Sequence, residues 1–119
     1  MKVETQEFNK AVARLEHALA QVKDEFVRDS VIQRFEFCVE LSWKTARKIM
    51  GTSSTAPKDI IREMAQAQKI QNVELWLKSI DMRNLSSHTY KEDLAETVYD
   101  FAKHFLPELR KLVEVLNRK

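Results

Sequence analysis

Glycine occurs once in the 119 residues, at Gly51, and proline twice, at Pro57 and Pro107. Sheet proteins, dinucleotide-binding Rossmann units and phosphate-cradling loops need glycine where the backbone takes a positive φ or approaches a ligand closely. Those classes are excluded. Cys38 is the only cysteine, which excludes an intrachain disulfide and a paired-thiolate zinc site and fits a reducing cytoplasm. No apolar run approaches the ~20 residues of a membrane span, and the polar start, Met1 to Lys10, is not that of a secretory signal. Neither sign of charge dominates: 20 Lys+Arg against 18 Asp+Glu give a formal net charge of +2. Such a balance does not mark a nucleic-acid binder, so any basic surface has to be local. No His/Asp/Glu spacing resembles a metal site, and no metal or cofactor is expected.

What the chain does contain is apolar residues at helical period from end to end. Phe8, Val12, Leu15, Leu19, Val22 and Phe26 follow a heptad spacing that predicts a first helix from about Thr5 to about Asp24. Asp29 or Ser30 offers the N-cap of a second, with Gln33 three residues after Ser30 as in a capping box. Its core face comprises Val31, Ile32, Phe35, Cys38, Val39, Ser42, Trp43, Ala46, Ile49 and Met50, and Gly51 ends it. Pro57 suits the first turn of a short third helix, about Lys58 to Gln68, and Asn72 can cap a fourth with Val73, Trp76, Leu77 and Ile80 inward. Thr89 with Glu92 reads as the capping box of the last helix, where Leu94, Val98, Phe101, Phe105, Leu109, Leu112 and Leu116 continue the spacing. Pro107 is expected to kink or interrupt that helix without ending it. The expected fold is all-α: one domain over residues 1–119, an up-and-down bundle of three long and two shorter helices.

The pattern breaks at the end of the fourth helix. Positions 83, 84 and 87 should be apolar and are Arg83, Asn84 and Ser87; Asn84 falls within the arc expected to be buried. On one continuous helix Arg83 and His88 would point about 140° apart. Ser86, Ser87 and Thr89 indicate that the helix ends here and the backbone turns. A turn can bring guanidinium and imidazole to one opening, with Tyr90 beginning the next inner stripe and its hydroxyl at the edge. The same residues also fit a plain helix terminus whose side chains satisfy orphan carbonyls and amides.

On the second helix, Phe37 and Leu41 lie opposite the core face, which implies cover from the third helix or from a second subunit. Glu36, Glu40, Lys44 and Arg47 are spaced for ion pairs along the helix. Lys44, Arg47 and Lys48, with Arg34, Lys58 and Arg62, are either a solvated face or a hold on an RNA backbone. His17 and His104 read as solvated or structural, and Cys38 as a small buried hydrophobe.

Arg83-Asn84-Leu85-Ser86-Ser87-His88-Thr89-Tyr90 resembles the signature of HEPN-domain proteins encoded beside minimal nucleotidyltransferases: Arg, four residues, His, one residue, Tyr. An older name for the group is nucleotidyltransferase substrate-binding protein. Ile32-Gln33-Arg34-Phe35-Glu36-Phe37, Glu40-Leu41 and Trp43-Lys44 resemble the family's second helix. Ala56-Pro57 with Ile61-Arg62-Glu63, and Trp76 ahead of Arg83, resemble its third and fourth, so the likeness runs from about Asp29 to Phe105. One departure stands before the fourth helix, where the family often has Gly-Leu-Ile and this chain has Gln68-Lys69-Ile70.

The resemblance implies a homodimeric helical bundle that acts as the toxin of a toxin–antitoxin pair. Its activity would be metal-independent endoribonuclease cleavage, and its partner a minimal nucleotidyltransferase antitoxin. Carried onto this sequence, His88 is the acid–base group and Arg83 holds the RNA phosphate and stabilises its developing charge. Asn84 orients either group. Tyr90 accepts AMP from the partner, which would block RNA and occupy the guanidinium. The competing expectation is a non-catalytic subunit that presents a substrate or nucleotide to a separate nucleotidyltransferase.

Overall fold

A computed structural model describes residues 3–118, which form five α-helices and no strand. These are α1 (Gln6–Leu19), α2 (Glu25–Met50), α3 (Pro57–Gln66), α4 (Val73–Leu85) and α5 (Glu92–Leu116); a 3₁₀ turn over Ser86–His88 joins α4 to α5. At 1.5 Å per residue the 26 residues of α2 span about 39 Å and set the 42 Å long axis of the molecule. Every other element packs against α2. On one side lie α1 and α5, and on the other α3 and α4, with α4 bridging back to α5.

The helix boundaries correct the periodicity in three places. First, α1 stops at Leu19, so it is a helix of 14 residues, and Val22 and Phe26 are exposed at 91% and 85%. The cause is the cap of α2: the Asp24 carboxylate accepts the Val27 N–H at 2.7 Å from an extended backbone. That interaction starts a new helix five or six residues before the predicted Asp29 or Ser30 cap and turns the chain back along α1. Second, Thr89 does not cap α5. Its hydroxyl donates to the Ser86 carbonyl at 3.0 Å, and Lys91 holds the cap position with extended backbone and no side-chain bond. Third, Pro107 does not interrupt α5, which continues to Leu116 and, as expected, is not ended there. Pro107 is exposed between the buried Phe105 and Leu109, so the helix omits one backbone donor on its outer face.

Two left-handed residues end helices, one of them expected. Gly51 (φ 67°) closes α2 with its N–H on the Arg47 carbonyl at 3.0 Å. Gln68 (φ 59°) closes α3 in a Schellman arrangement: its own N–H reaches the Ala65 carbonyl at 3.0 Å and the Lys69 N–H reaches Met64 at 2.9 Å. Glycine is the ordinary residue there, and it is where the resembling family often has one. The turn keeps its geometry with glutamine at the cost of a strained backbone.

The core joins all five helices. Phe35 of α2 meets Phe101 and Phe105 of α5 edge-on at centroid distances of 5.7 and 6.3 Å, and Trp76 of α4 meets Phe105 at 4.7 Å. Phe8, Leu15, Ile60, Ile61 and Met64 complete it from α1 and α3. Cys38 is fully buried within it, and burial pushes its thiol up to about 12.

Replacing Gln68 with glycine should stabilise the protein by about 0.5–1 kcal/mol, while Gly51→Ala should cost about 1 kcal/mol. A Cβ at Gly51 meets open space, so that cost is conformational only. Urea titrations of the two variants should therefore move in opposite directions. Cys38 should resist iodoacetamide at pH 8 in the folded protein and react fully in denaturant, as read by intact mass.

Candidate active site

The inner face of α4 is Trp76, Ser79 and Ile80, all buried. Arg83 lies seven residues after Trp76, about 20° from its phase, so the indole that locks α4 into the core also turns Arg83 toward α2. There the Arg83 Nε sits 2.8 Å from Glu40 Oε1, both side chains about one-third exposed. The Nε–H is not aimed at that oxygen and makes no hydrogen bond, so the contact is an ion pair without a directed bond. The other Glu40 oxygen lies 3.4 Å from Lys44 Nζ. One carboxylate of α2 thus holds two cations from two helices.

Beyond Leu85 the chain tightens into the 3₁₀ turn, and its hydroxyls take up the carbonyls that α4 leaves open. Ser86 Oγ donates to the Arg83 carbonyl at 2.5 Å, Ser87 Oγ to Asn84 at 3.0 Å, and Thr89 Oγ1 to Ser86. The terminus reading of these residues is therefore right for Ser86, Ser87 and Thr89. It does not account for the side chains of Arg83, His88 and Tyr90. His88 is exposed at the end of the turn, and its ring stands edge-on to that of Tyr90, with centroids 6.2 Å apart.

Two placements differ from the sequence reading. Asn84 is exposed and not inward, because the buried face of α4 is centred on Trp76 and Ser79, leaving Asn84 about 100° around from Arg83. Tyr90 is 77% exposed rather than part of the inner stripe of α5. The extended Lys91 lies between Tyr90 and the helix, which takes the ring off that stripe. The Tyr90 phenol is therefore open to solvent.

The start of α5 beside Tyr90 is clamped to α2 by a residue the sequence reading passed over. Arg28 is buried, with Nη1 2.6 Å from Glu92 Oε2 and 3.4 Å from Glu96 Oε1, while Lys23 pairs with Glu96. The signal was present: Arg28 stands four residues before Ile32 and seven before Phe35, in phase with the core. Its guanidinium is held above its ordinary value chiefly by the Glu92 bond, and Glu96 below the usual carboxylate range by Lys23 and then Arg28. Phe37 remains 48% exposed, so α3 does not cover it, and Leu41 is half-buried. With Ala11 and Arg14 of α1 they line a shallow groove. His17 and His104 are exposed. Among the described residues no cluster of three potential metal ligands forms, and no helix is long and apolar enough to cross a membrane.

An all-helical bundle that carries Arg-x4-His-x-Tyr across the end of one helix and the start of the next defines a class, and the comparisons agree with it. Residues 3–118 match the family described as nucleotidyltransferase substrate binding protein like, and the chain belongs to that family. A relative from Haemophilus influenzae named Probable ribonuclease HepT is 31% identical over 125 residues, covering 88% of this chain and 86% of its own. Among solved structures, HI0074 of Haemophilus influenzae, described as the fold of a substrate binding domain of a nucleotidyltransferase, superposes with a TM-score of 0.87. It is 28% identical and covers 97% of this chain and 100% of its own. The Thermus thermophilus protein ttk003001694 gives a TM-score of 0.84 at 29% identity, covering 93% of this chain and 99% of its own.

The clamp on α5 should weaken in acid. A carboxyl whose folded value is depressed stabilises the fold above its unfolded value and loses that contribution as pH falls through the folded one. Thermal melts of the wild type from pH 7 to pH 3 should therefore fall more steeply than those of Arg28→Ala, which lacks the guanidinium. At pH 7 that variant should lose about 1 kcal/mol, a small figure because its carboxylate partners are well exposed.

Proposed function

We propose that the protein is a metal-independent endoribonuclease, the toxin of a toxin–antitoxin pair, active in the cytoplasm as a homodimer. A partner nucleotidyltransferase silences it by transferring AMP to Tyr90. The observation that carries this reading is the set of exposed or half-exposed Arg83, His88 and Tyr90 along one helix end and turn, with the His88 and Tyr90 rings edge to edge. The HepT relative's name and the family's name support its two halves.

In the proposed reaction His88 takes the proton of an RNA 2′-hydroxyl as that oxygen attacks the adjacent phosphorus. The bond from phosphorus to the 5′ oxygen breaks, that oxygen takes up a proton, and a 2′,3′-cyclic phosphate is left. Arg83, held from behind by Glu40, presents its terminal nitrogens to the phosphate oxygens, where negative charge builds. Asn84, exposed one residue on, contacts the strand rather than orienting either group from within. Silencing is an attack of the Tyr90 phenol oxygen on the α-phosphorus of ATP, with pyrophosphate leaving. The product places an anion beside His88, where it obstructs RNA. The exposed Phe37 supports a dimer, since an isologous contact would cover the patch on both protomers at once.

A second reading has two observations in its favour, the family's description as nucleotidyltransferase substrate binding protein like and that of HI0074 as a substrate binding domain of a nucleotidyltransferase. In it the protein presents a substrate to that enzyme and cuts nothing.

Arg83→Ala and His88→Ala should each lower RNA cleavage by at least 100-fold and abolish growth arrest on expression, with melting temperatures near wild type. Incubation with the partner and ATP should add one or more AMP masses to wild type and none to Tyr90→Phe. Intact RNA with wild-type protein, together with harmless expression, would refute the nuclease in favour of the presenting subunit.

A further inference from the structure

We propose that a groove beside Glu40 is a second phosphate-binding subsite, which holds the single-stranded RNA backbone next to the bond being cut. The groove has a volume of about 350 Å³ and is lined by Trp43, Lys44, Arg47, Lys48 and Thr55. This assignment rests on the nuclease reading above and extends it to how the strand is held.

Charge is the first observation. Three of the five lining residues are cations and none is an acid. Lys44 shares Glu40 with Arg83, Arg47 uses its Nε on the Ser54 carbonyl at 2.6 Å, and Lys48 is exposed without an ion pair among the described residues. The terminal nitrogens of Arg47 and the ammonium of Lys48 are therefore available to a ligand. A guanidinium fork and a point charge are the two groups that bind phosphate oxygens best.

The second observation is that the wall of the groove is built rather than loose. The Arg47 bond to Ser54 ties the loop after Gly51 to α2. Thr52 Oγ1 and Ser54 Oγ both donate to Glu63 Oε1, at 3.0 and 3.1 Å, and so tie it to α3. Thr55 follows directly. Trp43 supplies an apolar floor, half-buried, with Lys44 Nζ 5.5 Å from its ring centroid. Arg47, tied in this way, can meet a phosphate with less loss of side-chain freedom than the freer Lys44 and Lys48.

Position is the third. Glu40 touches Arg83 with one oxygen and Lys44 with the other, so the groove begins one carboxylate away from the proposed catalytic guanidinium. Lys44 and Lys48 follow Glu40 by one and two helical turns, about 6 and 12 Å along α2. A line of cations leading away from Arg83 matches an extended polyanion better than a compact nucleotide. Net charge contributes little, since the whole chain carries only +2. Attraction for RNA has to come from local arrays such as this one.

The test is fluorescence anisotropy with a 12-nucleotide 2′-O-methyl oligouridine, which cannot be cleaved, over a range of salt concentrations. Wild type is compared with the double variant Arg47→Gln/Lys48→Gln and with a charge-matched control, Lys69→Gln/Lys103→Gln, away from the groove. The groove variant should bind about 5–10-fold more weakly at low salt. Its slope of log affinity against log salt should be shallower by about 1.4, the value for two lost phosphate contacts on a single strand. Equal affinity and slope in the groove variant overturn the subsite, as does an equal loss in the control. So does a loss of ATP binding with RNA binding intact, which would make the groove a nucleotide site. If wild-type protein leaves RNA intact the nuclease reading fails first; if wild type cleaves RNA, Arg83→Ala is inactive and the groove variant binds normally, only the subsite falls.

Discussion

The indole of Trp76, set edge-on against Phe105 and almost fully buried, determines how α4 is rotated about its axis, and the candidate site follows from that rotation. Arg83 shares the Trp76 phase, so burying the indole turns the guanidinium toward α2. Asn84, one residue on, is turned out to solvent by the same geometry. The aromatic cluster of Phe35, Trp76, Phe101 and Phe105 belongs to three helices at once, so α2, α4 and α5 cannot rotate independently without opening a void. A cationic side chain held at the rim of such a core is preorganised by packing rather than by a local hydrogen-bond network.

Around that framework the polar interactions fall into two kinds. Some close the fold: Asp24 on the Val27 N–H, the Ser86, Ser87 and Thr89 hydroxyls on the carbonyls at the end of α4, and Arg28 on Glu92 and Glu96. Others leave charge facing outward. Glu40 is the hinge between them, since it neutralises part of the charge of Arg83 and Lys44 while keeping both near solvent. Removing Glu40 would leave two cations in proximity, and holding them close without it would cost Coulomb energy. That is a physical reason for an acid at the centre of a surface whose purpose, on the proposed function, is to receive a polyanion.

The turn before α4 shows how a fold tolerates a poor residue. Gln68 takes the left-handed conformation that glycine would adopt freely, and the Schellman bonds to Ala65 and Met64 hold it there. The strain of about 1 kcal/mol is local to the backbone of Gln68. Its effect is confined to the α3–α4 connection, since Trp76 and the aromatic cluster set the direction of α4 independently.

Much of the fold and part of the site were legible without coordinates. Helical period, the scarcity of glycine and the Gly51 and Pro57 signals mark an all-helical bundle, because a 3.6-residue apolar repeat can be buried in few other ways. The string from Arg83 to Tyr90 marks the place where that repeat fails. Spacing could not say where one helix stops when the heptad runs on, since Val22 and Phe26 keep the rhythm and yet lie outside the core once Asp24 has captured an N–H. Nor could it show that Glu40 reaches across to Arg83 as well as along its own helix to Lys44, that Tyr90 leaves its stripe, or that Phe37 stays uncovered by α3. Residue order along one helix fixes only relative angles about that helix's axis. Contacts between helices depend on how each is rotated and offset against its neighbours, and packing of the assembled core alone decides that.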